Sequence, residues 1–366
     1  MLQSVFCLFD TMDDPRTGNR LLYPLPEIML AALGAVLSGC RSCEQFAAFA
    51  AARLDVLRSY LPYAHGAPSH DTFSRLFRLL PPEPFARLLA GLAAPLGPPG
   101  GAVALDGKAL RGSADPARGG AALMTLCAFA TDAGLALAQM RVDEKSNEIP
   151  ALVALLRDLD VAGRAVTADA LHCQRGTAAA IAEAGGRYVL PLKGNQKTLH
   201  DDAALFLADP AASVTLHLDV DGGHGRIETR ATRVTTDVAW LRDRHNWPGL
   251  AALGMVGRVR ETRTGTTRET QLYLLGHEFS AAELAALARG HWGIENRLHW
   301  VLDVSMGEDA CRARRDHAPE NLATLRRMAL NAIRRLPTRT SVPNTMLNAM
   351  LHTNTLHTLL SLALKS

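Results

Sequence analysis

Between Pro26 and Ala93 apolar residues recur three and four positions apart, the period of amphipathic helices. Ile28, Leu30, Ala31 and Leu33 mark a first helix, with Pro26 suited to its opening turn and Gly39 to its end. Phe46, Phe49, Ala50, Leu54 and Leu57 mark a second, introduced by Ser42 and Gln45 as a capping box. Ser69 is placed to cap a third helix carrying Phe73, Leu76, Phe77 and Leu80. A fourth, with Phe85, Leu88, Leu89 and Leu92, starts after Pro81, Pro82 and Pro84 break the third. LGPPGG at 96–101 sustains neither helix nor strand, so 1–98 reads as a helical domain that ends there.

Beyond that linker come short β-compatible runs: Ala102 to Leu105, then Leu123 to Thr131 and Leu135 to Val142 across the turn Asp132-Ala133-Gly134. Ile149, Leu152, Val153, Leu156 and Leu159 predict a helix with Ser146 as its cap, followed by a strand at Ala165 to Ala168. Ala178 to Ala184 is helical up to Gly185-Gly186, and Tyr188 to Leu192 is a fifth strand. The order β-β-β-α-β-α-β predicts an α/β fold, a mixed sheet with helices against it, because parallel neighbours need a crossover helix. About 213–277 reads as a β-rich insertion without helix, with strands at Val214 to Val220, Ile227 to Thr235, Met255 to Glu261 and Glu269 to Leu275. One long helix should resume at Ser280, since Leu284, Leu287, His291, Ile294, Leu298 and Val301 form a single stripe. Asp316 and Pro319 announce another, with Arg327, Asn331 and Arg334 on its polar side. The second domain is expected over 99–340, and 341–366 as a tail of loop and one weak helix.

Of the 366 residues 48% are hydrophobic and 20% charged, which excludes global disorder. The 39 Lys and Arg against 36 Asp and Glu give a net charge of +3, permissive of nucleic acid without being diagnostic. Six scattered cysteines, with a single C-x-x-C at Cys40 and Cys43, match no zinc spacing and read as a reduced set. The longest apolar stretch, Ile28 to Leu37, falls short of a bilayer span, and no basic leader precedes it. The expectation is a cytoplasmic protein without a membrane partner.

Two carboxylates are placed for chemistry. Asp106 follows the apolar run Ala102 to Leu105, with a tight turn expected at Gly107, and Asp169 follows the fourth strand in the same manner. Ligands of α/β sheets gather at strand ends. A pair of acids there suits Mg²⁺ or Mn²⁺, and two such ions about 3.5–4 Å apart can activate a nucleophile and stabilise the leaving oxygen of a phosphodiester. Glu295, on the flank of the stripe of the long helix, is the candidate third acid, and His291 one turn earlier is placed to face the same site. Taken singly, an Asp beside a turn is ordinarily a turn residue and a helical Glu is ordinarily solvated.

The strings LDGKALRGS (105–113), VDEKSNEI (142–149), TADALHCQ (167–174), LKGNQ (192–196), GHGRIETR (223–230) and HWGIENRLHWVLDV (291–304) together resemble a bacterial insertion-sequence transposase. More narrowly the chain is similar to the H-repeat-associated group of DDE transposases, from about Phe9 to Leu336, with DPR at 14–16 and PSHDTFSRLF at 68–77 in the same order. The resemblance implies a ribonuclease-H-like core in which Asp106, Asp169 and Glu295 bind two divalent ions. It also departs from the Tyr, Arg, Glu, Lys signature of related cut-and-paste transposases. Trp292, Gly293, Ile294 and Glu295 keep their part, while Ala288, His291 and Leu302 stand at the Tyr, Arg and Lys positions, with Arg289, Arg297 and His299 as candidate substitutes.

For DNA contact, Lys108 and Arg111 are expected to neutralise phosphate, and Lys193, Asn195 and Gln196 to leave a strand in an open turn. Arg226, Arg230 and Arg233 are expected on one face of a strand, and Arg312 belongs to a basic cluster with Arg314, Arg315, Arg326, Arg327, Arg334 and Arg335. The His172-Cys173 pair reads as packed rather than nucleophilic, and Trp240, Trp247, Trp292 and Trp300 as packing residues. The leading function is a metal-dependent transposase acting on double-stranded DNA, at element ends and target, as a homodimer on paired ends. A nuclease without strand transfer and a catalytically silent DNA-binding protein are the alternatives.

Overall fold

The computed structural model describes residue 9 and residues 12–17, 21–93, 101–142, 148–223 and 226–364. Ser146, most of the LGPPGG linker and the centre of GHGRIETR lie outside the described residues. Nine strands form one sheet: β1 (Val103–Leu110), β2 (Leu123–Ala130), β3 (Leu135–Val142), β4 (Ala165–Thr167), β5 (Arg187–Leu192), β6 (Thr215–Gly223), β7 (Arg226–Thr235), β8 (Ala252–Thr262) and β9 (Gly265–Leu275). Their order is β3-β2-β1-β4-β5-β9-β8-β7-β6. The pairs β1–β2 and β2–β3 are antiparallel, whereas β1–β4 and β4–β5 are parallel. The crossovers that parallel pairing demands are α6 (Glu148–Arg157) and α7 (Arg175–Glu183). This order and these directions are the ribonuclease-H-like arrangement.

The β-rich insertion is an extension of that sheet, since β9 pairs antiparallel with β5, Val189 opposite Leu275. It carries the short α9 (Ala239–His245) and is preceded by α8 (Lys197–Ala208), two helices that hydrophobic patterning leaves unassigned. The expected turn at Gly107 is absent. β1 continues through Asp106, which pairs with Cys127, and on to Leu110.

Each face of the sheet has its own core, because successive side chains of a strand point to opposite sides. Val103 and Leu105 face α6, α7 and α8, while Ala104 faces a helical layer that includes both ends of the chain. That layer contains α1 (Leu25–Leu37), α2 (Cys43–Ala52), α3 (Leu54–Arg58), α4 (His70–Leu79) and α5 (Pro82–Ala93). Ser42 and Ser69 cap α2 and α4, but the expected box at Ser42 is only half formed, because Gln45 Oε1 accepts from the Arg41 amide at 2.6 Å instead of the Ser42 amide. The tail is two helices, α12 (Val342–Leu351) and α13 (Thr353–Ala363), where one weak helix was expected. Leu356, Leu359 and Leu360 of α13 are fully buried in the layer built by α1, and each contributes about 1.5–3 kcal/mol.

Through the middle runs α11 (Ala318–Arg335), touching β3, α1, α4, α5 and α13. Enclosed on all sides, it has no solvated polar face, so Arg326, Arg327 and Asn331 are buried rather than exposed. Asn331 accepts from the Ala136 amide at 2.9 Å and donates to the Ala136 carbonyl at 2.8 Å. It does so where the β2–β3 register slips between Ala128 and Phe129. Removing it strands two buried backbone groups. Asn331→Ala is expected to lower unfolding free energy by roughly 2–4 kcal/mol, read by denaturant titration.

Candidate active site

Asp106 shares its face of β1 with Lys108, and the segment that covers this face comes from the far end of the sequence. α10 (Ala281–His291) begins at Ser280 in a reciprocal capping box with Glu283. The single long helix expected from there is not formed. After His291 the winding widens, and Ile294–His299 and Val301–Ser305 are π-helical. Such wide turns are uncommon and occur frequently at functional sites. Ile294, Leu298 and Leu302 still point into the core. Glu295, His299 and Asp303, four residues apart, line up along β1.

Two contacts join the row to the strand. His299 Nδ1 lies 3.2 Å from Glu295 Oε2 and 3.5 Å from Asp106 Oδ2. Lys108 Nζ donates to both oxygens of Asp303, at 2.6 and 2.7 Å, and lies 3.8 Å from Glu308. Glu308 in turn accepts from buried Arg327 at 2.9 Å. Burial, with Lys108 and Arg327 close by, pushes the His299 imidazolium down to about 3, so the ring is neutral at any ordinary pH. The loop that supplies Glu308 lies against Gly112, where an added Cβ would come within 2.1 Å of the Cys311 carbonyl oxygen. Glycine is required there to let two backbones touch.

Asp169 follows β4 and caps the 3-10 turn Ala170–His172, accepting from the His172 amide at 3.2 Å. Its neighbour His291 lies 2.9 Å from Thr167 Oγ1, and burial holds that ring below its ordinary pKa against the opposing pull of Asp169. Asp106, Asp169 and Glu295 line one groove of about 920 Å³ across the β1–β4 junction. They are not equally close. The ligand atoms of Asp106, Glu295 and His299 all lie within 4.8 Å of one another, and Asp169 stands outside that group. Two carboxylates and a neutral imidazole facing a common point are a donor set that fits a divalent cation.

Several expected phosphate contacts sit elsewhere. Lys108 is only 5% exposed and committed to its ion pairs, because its pleat position turns it under the π-wound segment. Asn195 and Gln196 reach back to the Ala170 and Cys173 carbonyls, at 2.8 and 3.3 Å, and tie their loop to the turn behind Asp169. Arg297 leaves the groove, donating to the Thr131 carbonyl at 2.6 Å over the Phe129 ring. Arg226 is exposed at the far end of β7, and Arg233 lies on the opposite face because a strand alternates. Arg326 and Arg327 are core residues, whereas Arg111 and Arg312 are exposed, Arg111 3.5 Å from Asp309.

Lys193 and Arg230 do line the groove. They are joined by Arg258 and Arg289, of which Arg258 carried no signal in the sequence because its place depends on the β7–β8 pairing opposite Arg230. These arginines have acidic partners, Arg230 with Glu228, Arg258 with Glu269 and Arg289 with Asp219. Lys193 makes no ion pair among the described residues. Trp247 is packed as expected, but Trp292 and Trp300 are 67% and 56% exposed, on the side of the segment away from Leu298. Cys173 is buried, as expected.

The chain matches the family model described as transposase DDE domain over residues 98–332, and that described as DDE_Tnp_1-associated over 6–92. It belongs to the DDE transposase family. A protein of Xanthobacter autotrophicus described as uncharacterized, in the dhlA 3' region, is 41% identical over 76% of this chain and 96% of its own length. The H repeat-associated putative transposase YhhI of Escherichia coli K12 is 32% identical over 87% of each chain. The putative transposase YncI of E. coli O157:H7 is 31% identical over 91% of this chain and 88% of its own. Among solved structures, the piggyBac transposase synaptic complex with hairpin DNA is similar at 12% identity and a TM-score of 0.44, over 97% of this chain and 77% of that one. The fold assignment stands on strand order and direction. No helix of the described residues is long and apolar enough to cross a membrane.

The position of Lys108 has a measurable consequence for this DDE transposase. Lys108→Ala leaves Asp303 and buried Glu308 short of a cation, so stability should fall by roughly 3–5 kcal/mol. The slope of log affinity for DNA against log salt concentration should not change, whereas loss of a phosphate contact would reduce it by about one.

Proposed function

We propose that this protein cleaves the ends of its DNA element and joins the freed 3′ hydroxyls to target DNA, with Asp106, Asp169 and Glu295 holding two divalent ions, Mg²⁺ or Mn²⁺. The observation that carries the reading is the common groove. Acids from β1, from the end of β4 and from the π-wound segment line it together, although 63 and 126 residues separate them in sequence. When bound, the ions polarise the scissile phosphate and lower the pKa of the attacking water or 3′ hydroxyl.

The chain's own groups do the remaining work. Lys108 clamps Asp303 and so fixes the height of Glu295 over β1. Lys193 at the groove rim meets a phosphate directly, and Arg230, Arg258 and Arg289 exchange their acidic partners for backbone oxygens as DNA enters. His291, hydrogen-bonded at Thr167, sets one wall beside Asp169. Catalysis then rests on positioning and charge neutralisation, with no protein nucleophile. The substrates are double-stranded element ends and target, and a homodimer on paired ends is the working assembly.

Asp106→Asn, Asp169→Asn and Glu295→Gln should each reduce cleavage of labelled element ends by about a thousandfold or more, with mobility-shift affinity kept within about threefold. Mg²⁺-dependent nicking by Asp106→Asn at the wild-type rate would refute the assignment. Pre-cleaved ends incubated with supercoiled target separate transposition from plain hydrolysis. Joined products are expected, and their absence alongside active cleavage would leave a nuclease.

A further inference from the structure

The groove's inner donor set contains a nitrogen. His299 belongs to the segment that delivers Glu295, one turn on, and its ring is 4% exposed. Its Nδ1 lies between the carboxylates of Asp106 and Glu295, which arrive from different elements, at 3.5 and 3.2 Å. Asp169, by contrast, is outside this group and accepts from the amide of its own turn. From this geometry we infer that His299 Nδ1 is a direct ligand of one divalent ion, so that this position is built from two carboxylates and an imidazole and prefers Mn²⁺ to Mg²⁺. The inference rests on the metal reading given above.

Two features support it. Lys108, the nearest cation on the same face of β1, is engaged by Asp303 through both carboxylate oxygens. Finally, Mg²⁺ favours oxygen donors, and an imidazole in the set shifts preference toward first-row transition metals. A ring that only held the two acids apart would sit at similar distances but would leave no nitrogen on the ion.

Pulsed electron paramagnetic resonance of Mn²⁺ bound to the full-length protein distinguishes these cases without reference to activity. Nitrogen-14 modulation from a bound imidazole is expected. It should change to the nitrogen-15 pattern in protein labelled at histidine, a measurement that needs no substitution. The signal should vanish in His299→Gln and persist in His291→Gln, which removes the ring beside Asp169. His299→Gln should also weaken Mn²⁺ on the order of tenfold while changing Mg²⁺ affinity less than about threefold. Bound Mn²⁺ without nitrogen modulation overturns the inference and spares the metal site. A signal lost in His291→Gln instead transfers the ligand to His291 and overturns it too. Failure of Mn²⁺ to bind at all would overturn the metal reading along with it.

Discussion

The ion pair between Lys108 and Asp303 sets the geometry of the groove. It joins the strand that carries one acid to the segment that carries another, and both partners are largely shielded from water. A charge in such a place must be matched, and Glu308 and Arg327 extend the matching into the helical core. Such a network adds little net stability over an apolar packing, but it tolerates very few alternative arrangements. Its effect is to specify register. The π-wound segment can rest on β1 in one position, and Glu295 and His299 are then presented to Asp106.

The sheet provides the second constraint. Parallel pairing of β1 with β4 brings the Asp106 strand beside the one that ends at Asp169, and the antiparallel ribbon β6–β9 continues past β5. That ribbon places Arg230 and Arg258 on the groove wall, where Glu228 and Glu269 hold them in paired form. The wall is thus rich in cations yet nearly self-neutral, in keeping with a chain of +3 overall. In the proposed complex DNA would compete for guanidinium groups that are already oriented, so ordering them would cost little.

Legibility in the sequence followed the range of the interactions. The caps at Ser42 and Ser69, the helix start at Ser280 and the order of the first five strands depend on neighbours in the chain and could be read directly. The three acids were legible as candidates, and the structure brings them to one groove, with His299 rather than Asp169 nearest the other two. What escaped the reading was decided at long range. Lys108 and Asp303 are 195 positions apart, so a lysine beside an acid read as a phosphate contact. Arg327 and Asn331 sat at polar positions of an apparently amphipathic helix, but α11 has protein on every side. The π winding after His291 kept the apolar stripe nearly intact, so a regular helix and a widened one were the same pattern on the page.

The helical layer has a consequence for how the chain is made. All thirteen positions of α1 are buried, in part beneath α13, whose residues follow more than three hundred positions later. At roughly 5–20 residues per second, the ribosome releases that cover only some tens of seconds after α1 emerges. For that interval the part of α1 that α13 covers lies open, although α2 and α4 can already pack against the rest of it.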